Sequence, residues 1–136
     1  MAKIPQEVQE AFNAAPFVTL CTANAVGQPN GSYVGMKCIM DDETLYLSDQ
    51  FFKKTLANVL ENPKICVSFC VDKNAYAIYG TARYVNEGPE FEERAAWAND
   101  LFVKIGMPVT AKGGIFMAVD AVYNESAGPE AGAQMA

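Results

Sequence analysis

The adjacent lysines Lys53 and Lys54, followed by Thr55, are the residues of this chain whose types and spacing most directly predict chemistry. They stand between a strand-like segment, residues 45–48, and a helical segment, residues 53–61. The first turn of a helix has free N–H groups and favours negative charge, so two cations there need a compensating anion. A phosphate group can accept hydrogen bonds from N–H groups, ammonium groups and a hydroxyl at once. The pair therefore indicates either a phosphate site or an ordinary solvated surface pair.

Other reactive side chains are few, and they narrow the chemistry. The chain contains no histidine, which removes Cys–His and Ser–His nucleophilic catalysis and any histidine-ligated zinc or haem. Four cysteines, Cys21, Cys38, Cys66 and Cys70, form no Cys-x-x-Cys motif and lie in apolar, strand-like segments. We interpret them as buried thiols that act as small hydrophobic residues, in preference to a disulfide or a metal site. No pair of carboxylates marks itself as catalytic, so the catalytic residues stay unknown.

Length and charge limit the class of protein. The chain has 136 residues, of which 51% are hydrophobic, as expected for one globular domain with a real core. Ten basic residues stand against sixteen acidic ones, which argues against nucleic acid and anionic membranes as partners. No apolar run approaches the roughly 20 residues of a membrane span, and the N-terminus lacks a signal-peptide core. We therefore expect a cytoplasmic protein.

Hydrophobic periodicity and turn residues predict three helices and six strands. The helices cover residues 5–14, 53–61 and about 89–105, and the strands cover residues 17–22, 32–40, 44–48, 65–71, 75–85 and 114–123, with a bulge at Gly80. Most strands are joined as hairpins, with a short helix after strand 3 and a longer one before the last strand. This order predicts a mainly β (α+β) fold built on an antiparallel barrel. The domain should span residues 1–126, and residues 127–136, rich in glycine and alanine, should form a flexible tail.

The order of these elements resembles the FMN-binding split-barrel family related to pyridoxamine 5′-phosphate oxidase. The most specific stretches are Leu-Tyr-Leu-Ser at 45–48, Lys-Lys-Thr-Leu-Ala-Asn-Val at 53–59, Asn-Pro-Lys-Ile at 62–65 and Gly-Pro-Glu-Phe-Glu at 88–92. The last of these looks like that of the small single-domain flavin-binding proteins of the superfamily. The resemblance runs from the first strand to Tyr123 and implies a six-stranded antiparallel split β-barrel of Greek-key type.

This resemblance implies a cofactor, FMN, and a set of residues that bind it. The family's phosphate site corresponds to Ser48, Lys53, Lys54 and Thr55. Its flavin-ring contacts, made largely by main chain along the second strand, correspond to Ser32, Tyr33 and Val34, followed by Lys37 and Cys38. Members are usually homodimers with FMN at the subunit interface, so a partner subunit is expected to complete each site.

The residues themselves suit such a ligand. FMN brings a dianionic phosphate, a ribityl chain and a flat ring, which need cations, hydroxyls and an apolar slot respectively. The lysine pair can supply the cations for the phosphate, and Ser48 and Thr55 can supply hydroxyls for the ribityl chain. Four aromatic residues are candidates for the ring, each with ordinary packing as the alternative: Tyr33, Phe51, Phe52 and Trp97.

The chain departs from the family pattern at positions that bear on its expected function. Pyridoxamine 5′-phosphate oxidases continue past the last strand with an arginine-bearing segment and also use a histidine. Here the chain ends in an acidic, glycine- and alanine-rich segment, and its arginines are Arg83 and Arg94 alone. Vitamin B6 oxidation is therefore not expected, whereas a deazaflavin (F420)-binding reductase stays open because its phosphate site is built similarly.

Three functions remain open from sequence. The first is an FMN-dependent oxidoreductase that acts on a small molecule or a redox partner, because the flavin itself carries that chemistry. The second is a non-catalytic FMN-binding or electron-relay protein. The third is a flavin-free structural dimer, in which the lysine pair is merely solvated.

Overall fold

Three helices and seven strands make up the protein, and the computed structural model describes all 136 residues. The helices are α1 (Gln6–Ala14), α2 (Lys54–Glu61) and α3 (Pro89–Lys104). The strands are β1 (Val18–Ala23), β2 (Pro29–Val34), β3 (Lys37–Asp41), β4 (Thr44–Asp49), β5 (Lys64–Val71), β6 (Asn74–Val85) and β7 (Gly113–Asn124). No helix combines the length and the apolar character needed to cross a membrane.

All seven strands form one antiparallel sheet in the order β2-β1-β5-β6-β7-β4-β3. β2 and β3 are therefore its two edges, yet only Gly35 and Met36 separate them in the chain. Because three residues of extended chain span roughly 10 Å, the two edges must lie close together and the sheet must curl. The Met36 carbonyl also accepts the Ser48 N–H at 2.9 Å, which ties this connection to β4. The predicted α+β split barrel is confirmed.

The strand count differs from the prediction at one place. Residues 32–40 were expected to form a single strand, whereas the structure ends β2 at Val34 and begins β3 at Lys37. β2 pairs with β1 and β3 pairs with β4, so the chain crosses here from one edge of the sheet to the other. The apolar pattern continues across the break, and for that reason the sequence predicts six strands where seven form.

The core fills the inside of the curled sheet, and α1 closes one of its ends. Val8 and Phe12 of α1 are fully buried, and the Phe12 ring packs edge-on against Phe69 with 5.6 Å between centroids. α3 lies outside the barrel, where Trp97 packs edge-on against Tyr46 of β4. The predicted bulge at Gly80 is confirmed by the register shift after Tyr79. A Cβ at Gly80 would collide with the Ala118 carbonyl oxygen, so the close approach of β7 requires glycine.

The C-terminal segment is docked, unlike the flexible tail that its composition predicts. The Gly132 N–H donates to the Asn124 carbonyl and the Met135 N–H to the Val122 carbonyl, both at 2.7 Å, and Met135 packs against the core. β4 pairs with β7 only as far as Ala118, which leaves the rest of that edge with free backbone groups. Ala2 and Glu43 bond the backbone of Val119, and the tail supplies partners for Val122 and Asn124.

The cysteines also differ from their prediction as buried thiols. Cys21, Cys38 and Cys66 are half-buried and Cys70 is exposed. Cys21 and Cys66 occupy strand positions that alternate with buried neighbours, so their side chains face outward from the barrel. Apolar strand segments predict burial in general but do not show which face each residue takes.

Candidate functional site

One cavity of about 500 Å³ lies between β2, the turn before α2 and the end of α3. Nine of its fifteen lining residues are hydrophobic, and its volume is within the usual range for a cofactor or small-molecule pocket. We call it the main cavity. Its lining residues are Pro16, Phe17, Ser32, Tyr33, Val34, Gly35, Met36, Ser48, Gln50, Phe51, Phe52, Thr55, Phe102, Ile105 and Met107.

The start of α2 carries uncompensated positive charge beside this cavity. Lys53 is the N-cap residue and forms no side-chain cap, and the first turn contains no acidic residue. Lys53 and Lys54 are exposed, and neither forms an ion pair with a carboxylate of the chain. They stand between two lining residues, Phe52 and Thr55. Free N–H groups and two ammonium groups thus meet at one place, which is an arrangement suited to an anion.

A buried carboxylate holds the turn that leads to the lysines. Asp49 is fully buried; its Oδ1 accepts the Phe52 N–H at 2.8 Å and its Oδ2 accepts the Tyr84 hydroxyl at 2.5 Å. Burial and, after it, the hydrogen bond to Asp49 raise the pKa of Tyr84, which keeps the phenol protonated as a donor. Gly113 leaves room for this hydroxyl, because a Cβ there would collide with it. The Asp49–Tyr84 pair therefore fixes the turn against β6.

Hydroxyl and amide groups join α2 to the strands below it. The Thr55 hydroxyl donates to Ser32 Oγ at 3.0 Å, and Asn30 Nδ2 donates to Thr55 Oγ1 at 3.2 Å. Asn58 Nδ2 donates to the buried Thr22 hydroxyl at 3.0 Å. These bonds set the position of the helix start relative to β2, so the cationic and apolar parts of the site keep a constant spacing.

Seven of the nine residues predicted to bind a cofactor lie together. Five of them line the main cavity: Ser32, Tyr33, Val34, Ser48 and Thr55. The other two are the lysine pair at the start of α2.

Lys37, Cys38 and Trp97 lie elsewhere, and none of the three lines the main cavity. The Lys37 ammonium donates to the Phe12 carbonyl at 2.7 Å, at the C-terminal end of α1, where the helix dipole favours a cation. Burial lowers the pKa of Lys37. Trp97 contacts Tyr46 and Arg94 and does not line the main cavity.

The sequence analysis missed part of the lining. Gln50, whose amide donates to Ser48 Oγ, and Met36 belong to the site. So do Phe102 of α3 and, just beyond that helix, Ile105 and Met107. Ile105 is 62% exposed although it lines the cavity. The one sequence signal for this part of the lining is that an apolar residue, Ile105, directly precedes Gly106, which ends the helix.

The curled antiparallel sheet with a cationic helix start beside an apolar cavity defines a protein of the split-barrel class. Residues 4–124 match the family model described as pyridoxamine 5′-phosphate oxidase, and the chain belongs to this family.

Known proteins resemble the chain in sequence and in fold. An uncharacterized protein of Methanocaldococcus jannaschii is 31% identical over 135 residues, which cover 97% of this chain and 87% of that protein. The crystal structure of HupZ from Group A Streptococcus superposes with a TM-score of 0.79 at 27% identity and covers 95% of this chain and 99% of its own. An FMN-binding protein from Syntrophomonas wolfei shares the fold with a TM-score of 0.72 at 18% identity, covering 87% of this chain and 83% of that one.

Proposed function

We propose that this protein is a flavoprotein that binds FMN and transfers electrons between the flavin and a small molecule or a redox partner. The observation that carries the proposal is the exposed Lys53–Lys54 pair, which has no partner in the chain and adjoins a largely apolar cavity of about 500 Å³. An FMN-binding protein with the same fold supports it.

The phosphate would be held at the start of α2. Lys53, Lys54 and the free N–H groups of the first turn supply positive charge and donors, and Thr55 adds a hydroxyl oxygen at the same end. Each charge-assisted hydrogen bond to a phosphate contributes ~1.5–3 kcal/mol. Asp49 and Tyr84 contribute indirectly, because they hold the turn that presents the lysines.

The ring would lie against β2. This strand is an edge of the sheet and pairs only with β1, so its other side offers free backbone N–H and C=O groups beside Ser32, Tyr33 and Val34. Polar atoms of a flavin ring can bond to such groups while its faces contact apolar side chains, for which Val34, Phe51 and Phe52 are placed. When bound, the flavin supplies the hydride and electron chemistry, and the chain supplies binding and orientation.

A second copy of the chain is the proposed partner, with FMN at the interface. Large apolar side chains around the main cavity are exposed, namely Phe17 at 62%, Tyr33 at 79%, Phe51 at 69% and Ile105 at 62%. Clustered exposed apolar groups of this size mark interaction surfaces. Dimerisation would cover them and would narrow the open side of the cavity.

A first experiment identifies the cofactor. The protein is purified without added cofactor, its absorption spectrum is recorded, and whatever is released on denaturation is analysed by mass spectrometry. We expect FMN. A deazaflavin would replace FMN in the proposal, and colourless protein that fails to bind micromolar FMN would contradict it. Oxidation of NAD(P)H by the FMN-loaded protein then separates an enzyme from a flavin carrier.

A second experiment tests the phosphate site. Lys53→Ala and Lys54→Ala should each weaken FMN binding by about ten- to a hundred-fold, since each removes a charge-assisted bond of ~1.5–3 kcal/mol. Apo protein is titrated with FMN, and flavin fluorescence quenching is followed. Lys73→Ala, which removes an exposed lysine in the turn between β5 and β6, is the matched control. Affinities equal to that of the control would remove the lysine pair from the site.

A further inference from the structure

Two cysteines face each other on the outer side of the barrel, away from the main cavity. Cys21 of β1 is the direct cross-strand partner of Cys66 of β5. Gly31 of β2 stands opposite Cys21 on its other side and Tyr79 of β6 opposite Cys66, so the four residues form one row across the sheet. Cys21, Cys66 and Tyr79 line a second, open depression of about 390 Å³, and none of its lining residues belongs to the main cavity.

The register brings the two thiols within bonding range. Directly opposed residues of an antiparallel pair have Cα atoms about 4.5–5.5 Å apart, which lies inside the range of about 4.4–6.8 Å that disulfides require. Both side chains are only half-buried, and the glycine at position 31 places no side chain over Cys21. A small reagent can therefore reach the pair without the sheet opening.

We propose that Cys21 and Cys66 form a reactive dithiol site that is oxidised by low-molecular-weight disulfides and closes to a reversible cross-strand disulfide. The Cys21 thiolate attacks one sulfur of the small disulfide; a Cys21–S–S–R bond forms and the first RS⁻ leaves. The Cys66 thiolate then attacks the Cys21 sulfur, the protein disulfide forms and the second RS⁻ leaves. The two thiol protons end on the two released thiols, so two protein thiols are oxidised as one small disulfide is reduced.

The environment of each thiol assigns the order of these steps. Burial raises the pKa of Cys21, but the hydrogen bond from Cys66 acts in the opposite direction. Burial, followed by the charge of Cys21, raises the pKa of Cys66 to about 12. Cys21 therefore ionises first and attacks, and Cys66 resolves. Because the thiolate is the reactive form, closure should be slow at neutral pH and should accelerate about tenfold per pH unit over the range in which Cys21 remains mostly protonated.

The other two cysteines lack a thiol partner. Cys38 accepts a hydrogen bond from Arg94 at 3.6 Å, and Cys70 donates to the Asp72 carbonyl at 3.5 Å. Cys70 shares a strand face with Cys66, but four residues of extended strand separate their Cα atoms by roughly 13 Å, too far for a disulfide. These two residues serve as internal references for reactivity.

The test uses oxidised glutathione as the small disulfide. Folded protein is incubated with it at pH 8.5, free thiols are blocked with iodoacetamide, and the unreduced digest is analysed by mass spectrometry. We expect a peptide pair cross-linked through Cys21 and Cys66, lost after dithiothreitol. Cys66→Ser should instead retain glutathione on Cys21, because the resolving thiol is gone. Cys70→Ser should close at the wild-type rate.

Contrary outcomes are equally specific. One such outcome is that Cys70 carries glutathione while Cys21 and Cys66 are both alkylated. Oxidised glutathione would then have reacted with an exposed thiol, but Cys21 and Cys66 would have remained free, and the proposal would be wrong. Cross-links between two copies of the chain, or a Cys66→Ser variant that leaves Cys21 free, would overturn it as well. Flavin content does not enter these readouts, so the result is independent of the proposed cofactor.

Discussion

The N-terminal turns of α2 and α3 differ in how the free N–H groups and the positive end of the helix dipole are compensated. α3 begins at Pro89 after Gly88 in a positive-φ conformation, and its first turn contains Glu90 and Glu92. Arg83 binds Glu90 with two hydrogen bonds of 2.6 and 2.9 Å, and this contact lowers the pKa of Glu90. α2 begins with two lysines, no acidic residue in its first turn and no side-chain cap.

The difference separates a structural helix start from one suited to a ligand. α3 compensates its own dipole and is fastened to the sheet by residues of the chain. α2 forgoes the ~0.3–1 kcal/mol that an acidic first turn provides, and it is held instead through Asp49 and the Thr55 network behind it. A rigid frame under an uncompensated charge is what preorganised anion binding requires.

Reversing one charge at the start of α2 should give the largest effect. Lys54→Glu should weaken FMN binding beyond the ten- to hundred-fold expected for Lys54→Ala, because it adds repulsion of the phosphate. The same change should raise the free energy of unfolding of the apo protein by ~0.3–1 kcal/mol. FMN titration and urea denaturation of one preparation measure both. If Lys54→Glu binds FMN with wild-type affinity, the start of α2 does not bind the phosphate and has no ligand role that the start of α3 lacks.

Removing the Tyr84–Asp49 hydrogen bond, which holds the turn before α2, should have an intermediate effect on FMN affinity. Tyr84→Phe leaves Asp49 Oδ2 buried without its donor, which costs ~1–3 kcal/mol of unfolding free energy. FMN affinity should fall as well, although no group that contacts the phosphate is removed. Tyr123→Phe is the control, because that half-buried residue has no comparable buried carboxylate partner. Unchanged stability in urea would show that Asp49 does not depend on Tyr84.

Removing the charge at the start of α3 should have the smallest effect. Glu90→Gln breaks an exposed ion pair and should lower the unfolding free energy by less than ~1 kcal/mol, with FMN affinity unchanged. The pKa of Glu90 is lowered by folding from its ordinary value of 4.5, so its contribution is present above that pH and is lost as the pH falls through the folded-state pKa. Wild type and variant should therefore differ in urea denaturation at pH 7 and converge in acid. A change in flavin affinity would show that the start of α3 also belongs to the site.

Short-range patterns accounted for most of the elements. Pro89 and Glu90 predict the start of α3, and Gly80 predicts the bulge. The adjacent lysines at positions 53 and 54 predict the cationic start of α2. Such features depend on residues within a few positions of one another, where capping, dihedral preference and charge act directly. Seven of the nine predicted binding residues lie on two segments that these patterns place in sequence, but the tertiary structure brings the two segments together.

The sequence by itself therefore determined the helices, most strands and the cationic helix start, because neighbouring residues decide these. Only the tertiary structure decided that Ile105 and Met107 line the main cavity, that Lys37 caps α1 and that residues 132–136 pair with β7. It also decided that Cys21 faces Cys66, because strand order and register set which distant residues meet. A shift of one residue in that register would turn one of these thiols to the opposite face.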